Sequence, residues 1–301
     1  MPTNEINVDI IPGIRKLEVF ARKETLSKTF EGNWTSVFKG HGMEFAGYRA
    51  YTYSDDASLI DWKASLRSKE ILVRDYEQER SLSVIFLLDV SNSMLFSSTG
   101  KLKAEYAAEL VSTLSYAILR TGDSVGLAMF TDKLVTKQPP NIGRSVHYFM
   151  VKDLLDPDNY GGNFNLKNAL KFLASFWKKR ALVIIVSDFL GLDENWYKYL
   201  MIASQQYELI GIMVRDPLDR ELPEESAAYT VQDPFSSQKM IINPKEYAEA
   251  YRLYVQKEEL EIERRFKQTK SGFLLLTTDK EFYKPVITFF RKREFIEAGF
   301  T

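Results

Sequence analysis

Asp89-Val90-Ser91-Asn92-Ser93-Met94 places one carboxylate and two hydroxyls at i, i+2 and i+4. On a loop leaving a strand tip, this spacing lets three oxygens converge. A hard cation such as magnesium takes oxygen ligands in near-octahedral geometry and keeps several waters. Asp188 ends another apolar run and would bind such an ion directly or hold one of its waters. A plainer reading competes, because Asp and Ser after a strand also cap helices and make turns. A strand-tip Asp can also attack phosphate. Such chemistry wants a second acid two residues on, and Ser91 stands there. No Gly-x-x-x-x-Gly-Lys-Ser/Thr loop and no Gly-x-Ser-x-Gly elbow occurs. His41 and His147, the chain's two histidines, have no acid and serine partners at recognisable spacing and are read as packing or surface residues.

The elements around these residues alternate. An apolar run at 83–89 ends in Asp89 and suits a strand buried on both faces. Leu102, Tyr106, Leu110, Leu114 and Ile118 recur every four residues and predict an amphipathic helix over 101–120. Thr121-Gly122-Asp123 breaks it. A strand follows at 124–130, then a short edge at 134–137 that Pro139-Pro140 should end, then helices at 146–155 and 165–178. The third strand, 182–187, runs into Asp188. Beyond it come a helix at 195–205, a strand at 209–214, a hairpin at 229–231 and 240–242, a charged helix at 245–268, a strand at 273–277 and a helix at 282–295. Strands spaced by helices predict an α/β fold with a mostly parallel sheet covered on both faces. Ligands then sit at the carboxyl ends of the strands, where Asp89 and Asp188 fall.

The chain divides near Ser81 into an irregular N-terminal extension, 1–80, packed on a main domain, 81–301, with a hairpin insertion near 226–243. In the extension, Glu44, Asp55, Asp56 and Asp61 stand near Arg49, Lys63 and Arg67, read as an ion-pair network with Trp62, Phe45 and Tyr51 as buried anchors. The charged helix, with Lys257-Glu258-Glu259 and Glu263-Arg264-Arg265, reads as a solvated face carrying i,i+4 pairs rather than a docking surface.

The 301 residues are 45% hydrophobic, enough for a substantial core. A net charge of -1 argues against a general nucleic-acid binder. Without cysteine there is no thiolate metal site, iron–sulfur cluster or cysteine nucleophile, and two histidines leave little for a multi-histidine site. No apolar run approaches the about 20 residues of a membrane span, and residues 1–10 lack the pattern of a signal peptide. The expected setting is cytoplasmic, and the sequon at Asn33-Trp34-Thr35 is read as chance.

Asp89-Val90-Ser91-Asn92-Ser93 resembles the Asp-x-Ser-x-Ser metal-ion-dependent adhesion site of von Willebrand factor A domains, and the order of elements after it is similar to that fold. Upstream, Arg49-Ala50-Tyr51, Ser54-Asp55-Asp56 and Ile60-Asp61-Trp62-Lys63-Ala64-Ser65-Leu66-Arg67 resemble the signature of the prokaryotic family called domain of unknown function 58. Val73-Arg74-Asp75-Tyr76-Glu77-Gln78-Glu79-Arg80, Asp216-Pro217, Glu221-Leu222-Pro223 and Phe289-Phe290-Arg291 are similar too. Ser54 replaces the family's usual Gly. The resemblance implies a von Willebrand factor A-like doubly wound sheet and a non-enzymatic adaptor. Asp89, Ser91 and Ser93 would hold magnesium, Asp188 would orient its water, and Asn163 or Asn165 would offer an amide oxygen. The loop Gly161-Gly162-Asn163-Phe164-Asn165 carries Phe164 where those domains place a metal-binding Thr. The resemblance also implies a MoxR-type AAA+ ATPase as partner, together with a client. A magnesium-dependent phosphohydrolase and a metal-independent scaffold with a vestigial site are the alternatives.

Overall fold

Two strands come first, β1 (Met43–Ala50) and β2 (Leu72–Gln78), paired antiparallel and joined through helix α1 (Trp62–Ser68). The computed structural model describes residues 43–53, 55–68, 70–78, 82–223, 229–236 and 238–297. The sequon at Asn33, His41 and Ser54, and the side chains of Glu44 and Phe45, lie outside the described residues. Next come β3 (Ser83–Asp89), α2 (Lys103–Arg120), β4 (Ser124–Phe130), β5 (Leu134–Asn141), α3 (Arg144–Leu155), α4 (Leu166–Phe176) and β6 (Leu182–Ser187). Then come α5 (Trp196–Gln206), β7 (Glu208–Arg215), the one-turn α6 (Pro217–Arg220), the hairpin β8 (Tyr229–Gln232) and β9 (Lys239–Ile242), α7 (Pro244–Gln268), β10 (Gly272–Thr277) and α8 (Tyr283–Glu297).

Six strands form one sheet in the order β10-β7-β6-β3-β4-β5. All pairs are parallel except β4 with β5. The period of two along a strand divides the core. Val84, Phe86 and Leu88 of β3 face Leu110 of α2, Met150 of α3 and Val286 of α8. Ile85 and Leu87 face the opposite way, onto Leu170 of α4, Leu200 of α5 and Phe266 of α7. Each fully buried side chain of this kind contributes about 1.5–3 kcal/mol. The expected doubly wound α/β architecture is what the chain adopts.

Two local expectations are corrected. Pro139 and Pro140 do not end the edge strand, because β5 runs through them to Asn141. An outermost strand carries a ladder on one side only, so proline is tolerated there, above all at a bulge. The bulge between Val125 and Leu127 accommodates them, and Gly126 gives the room. A Cβ there would lie 2.8 Å from the Gln138 carbonyl oxygen and from the Pro140 nitrogen.

Trp62 is not a buried anchor. It is 63% exposed, Leu66 on the same helix is also exposed, and Tyr51 is half-buried. The polar groups nearby serve local geometry. Arg49 and Asp55 form a two-pronged ion pair at 2.6 and 2.7 Å, and with Thr52 this holds Asp55 well below the usual carboxylate range. Asp61 caps α1, accepting from the Lys63 and Ala64 amides, and takes a hydrogen bond from Tyr48. Asp56 accepts from the Ser58 amide. These contacts shape the segment itself.

Candidate functional site at the carboxyl rim of the sheet

Because β3, β6 and β7 are adjacent and parallel, their carboxyl ends finish on one rim. Asp89 is the last residue of β3, while Asp188 and Asp216 immediately follow β6 and β7. All three carboxylates are buried. Asp89 Oδ1 accepts from the Ser91 amide at 2.9 Å, and its Oδ2 from the Ser187 hydroxyl at 2.6 Å. The Ser91 and Ser93 hydroxyls stand 3.2 Å apart. Burial and then the charge of Asp188 push the Asp89 carboxyl up to about 7, against the hydrogen bonds from Ser187 and Ser91, which pull it down. Asp89, Ser91 and Ser93 thus lie together at the tip of β3.

Asp188 is held within the chain itself. Its Oδ1 accepts from the Leu190 amide, while its Oδ2 lies 2.8 Å from the Lys103 ammonium. Lys103 also lies 2.7 Å from Asp219 Oδ2 on α6. Burial would push this lysine down, but the two carboxylates outweigh it and hold it above its ordinary value. Asp219 in turn accepts from the Asp216 amide. Asp216 accepts from the amide and hydroxyl of Ser98 and from the Leu218 amide. The chain thus surrounds its rim acids with its own donors.

The Gly-Gly loop docks against the site loop. The Asn92 amide donates to the Gly162 carbonyl at 2.9 Å, and the Gly162 amide donates back to Asn92 Oδ1. Both glycines have φ above +100°, a region that L side chains rarely adopt. Phe164 turns into the core against Phe130, with ring centroids 6.0 Å apart. Asn165 is used as a cap, accepting from the Asn168 amide. Asn163 is exposed, and among the described residues no hydrogen bond ties it to Asp89, Ser91 or Ser93. The hairpin tip bridges the two rim loops. The Pro234 carbonyl accepts from Asn92 Nδ2 at 3.2 Å, and the Phe235 ring lies beside Gly191.

Asp89, Ser91 and Ser93 form an all-oxygen set that fits a hard cation such as magnesium. Among the described residues no group of three His, Asp and Glu converges, so the set depends on the two hydroxyls. Sequence reasoning missed Lys103, Asp219 and the rim position of Asp216. A signal for Lys103 existed. It lies in the first turn of an apolar helix, where the positive end of the macrodipole disfavours a cation unless carboxylates compensate.

The sheet order and the strand-tip acids define a doubly wound α/β protein with buried acids on its carboxyl rim. The chain belongs to the family described as Protein of unknown function DUF58, whose model matches residues 47–261. It is 26% identical over 213 residues to Uncharacterized protein Rv1480 of Mycobacterium tuberculosis, covering 70% of this chain and 67% of that protein. Among solved structures, it is similar to the conserved hypothetical protein BatB from Bacteroides thetaiotaomicron, at 15% identity and a TM-score of 0.45, over 71% of this chain and 98% of that one. A von Willebrand factor type A protein from Catenulispora acidiphila is similar at 12% identity and a TM-score of 0.32, over 48% and 35%. The fold assignment itself stands on the strand order above.

Proposed function

We propose that this chain is a non-enzymatic protein-interaction module that recognises its partner at the carboxyl rim of the sheet. The observation that carries this reading is the convergence of Asp89, Ser91 and Ser93 at the tip of β3, with the two hydroxyls 3.2 Å apart. Asp89, Ser91 and Ser93 would hold magnesium. The ion, when bound, would supply a position for an acidic side chain of the partner. The Ser91 and Ser93 hydroxyls would serve as its oxygen ligands, and the Ser187 hydroxyl fixes the Asp89 carboxylate. A cytoplasmic setting suits a chain without cysteine, and no helix among the described residues is long and apolar enough to cross a membrane. The family resemblance is what points to a MoxR-type AAA+ ATPase and its client as partners. Catalysis has little support: the position two residues after Asp89 holds Ser91, which is not a carboxyl acid.

Calorimetric titration with magnesium, wild type against Asp89→Ala, tests the reading once both proteins are shown to be folded. Saturable binding lost in the variant is the expected result, with no magnesium-dependent turnover of a generic phosphate ester. A wild type that binds no magnesium would overturn the metal-dependent form. A second reading, a metal-independent scaffold, is favoured by Phe164 in the core and by Lys103 on Asp188. It predicts that partner binding survives Asp89→Ala.

A further inference from the structure

Lys103 is 1% exposed, and its ammonium bridges Asp188 and Asp219 at 2.8 and 2.7 Å. Three separate elements meet there: the first turn of α2, the loop after β6 and the one-turn α6. Burying a cation at a helix N-terminus is unfavourable on two grounds, desolvation and the macrodipole. The Phe96 ring centroid lies 5.8 Å from Nζ. What the ammonium adds is charge. With it, the group formed by Asp188, Asp219 and Lys103 carries a net charge of -1 instead of -2 when the carboxylates are ionised.

The carboxylate nearest the Asp89 set is therefore already holding a cation. Its Oδ2 is on Lys103 and its Oδ1 is on the Leu190 amide. We propose that Lys103 is a built-in cation that sets the metal affinity of this rim. It occupies Asp188, so that a divalent ion at Asp89, Ser91 and Ser93 binds tightly only when the ammonium leaves Asp188. Asp219 gives the ammonium a carboxylate to retain when it does. Asp219 also ties this exchange to α7, because its carbonyl accepts from Tyr251 at 3.0 Å and the adjacent Arg220 is clamped to Glu259. The inference rests on the Asp89, Ser91 and Ser93 set being a cation site.

Manganese, read by calorimetry and by the electron paramagnetic resonance of the free ion, tests it on the full chain. Lys103→Met leaves two carboxylates uncompensated and risks unfolding. The decisive variant is therefore Lys103→Met with Asp219→Asn, which keeps the group at a net charge of -1 and keeps an acceptor for the Asp216 amide. Circular dichroism confirms the fold. Manganese binding at least about tenfold tighter than wild type, abolished by adding Asp89→Asn, is the expected result. If wild type binds manganese and the double variant binds within about twofold of it, Lys103 does not set the affinity and the cation site stands. If wild type is silent and the double variant binds, Lys103 is confirmed as the resident cation and the wild-type rim is metal-independent. If neither binds, both readings fail.

Discussion

Asp89 has its two carboxylate oxygens held by Ser91 and Ser187 at the end of a strand buried on both faces. Its position gives a direct pH test. Burial and Asp188 raise its folded-state pKa to about 7, from an ordinary 3.8. The unfolded chain releases this proton at lower pH than the folded chain does. The stability due to this group is therefore full below 3.8 and is lost as pH rises toward about 7. Asp89→Asn should flatten the pH dependence of stability across that window, as read by urea denaturation without added metal. An unchanged slope would show that another group controls it. Trp62 gives the opposite kind of test. Because it is largely exposed, Trp62→Ala should change stability by no more than about 0.5 kcal/mol, the usual range for a surface site. A loss of about 3–5 kcal/mol, the range for a truncated core aromatic, would restore it as an anchor.

Among the elements, the β4–β5 edge shows the narrowest tolerance. Gly126 faces backbone atoms of Gln138 and Pro140, and neither can swing aside as a flexible side chain would. Gly126→Ala should cost about 1–3 kcal/mol through overpacking, measured by chemical denaturation. A neutral result would mean that the bulge relaxes. Helix α7 divides its faces clearly. Val255, Glu259, Ile262 and Phe266 form its buried seam, while Glu261 with Arg265 and Glu263 with Lys267 pair along the surface. Such surface pairs contribute little individually, because solvent screens them. The expected solvated charged face holds for those pairs but not at Glu259, which is buried against Arg220. The seam adds two contacts that spacing did not reveal, Glu258 to Arg215 and Glu259 to Arg220.

In the whole molecule, two apolar clusters cover the two faces of the sheet, and neither includes a metal-ligating side chain. The fold should therefore outlast any ion at the rim. Magnesium at a hundred times its dissociation constant should add about 2.7 kcal/mol. A chelator should remove only that increment and leave a cooperative thermal transition. Loss of the folded state on chelation would instead make the ion structural.

The alternation of strands and helices is legible along the chain, because burial on both faces leaves unbroken apolar runs and an amphipathic helix repeats its apolar face at short, regular spacing. The sequence also placed Asp89, Ser91 and Ser93 on one short loop, and the tight turn over 92–95 is what brings the two hydroxyls together. The continuation of β5 through Pro139-Pro140 depended on its place at the sheet edge, which local propensity does not encode. The partner of Asp188 was decided only by tertiary structure. Lys103 lies 85 residues from Asp188 and 116 from Asp219, and they meet because β3 and β6 are adjacent in the sheet and α2 packs across its face. An ammonium and two carboxylates at such separations leave no periodic trace, so the charge balance of the rim exists only once the chain has folded.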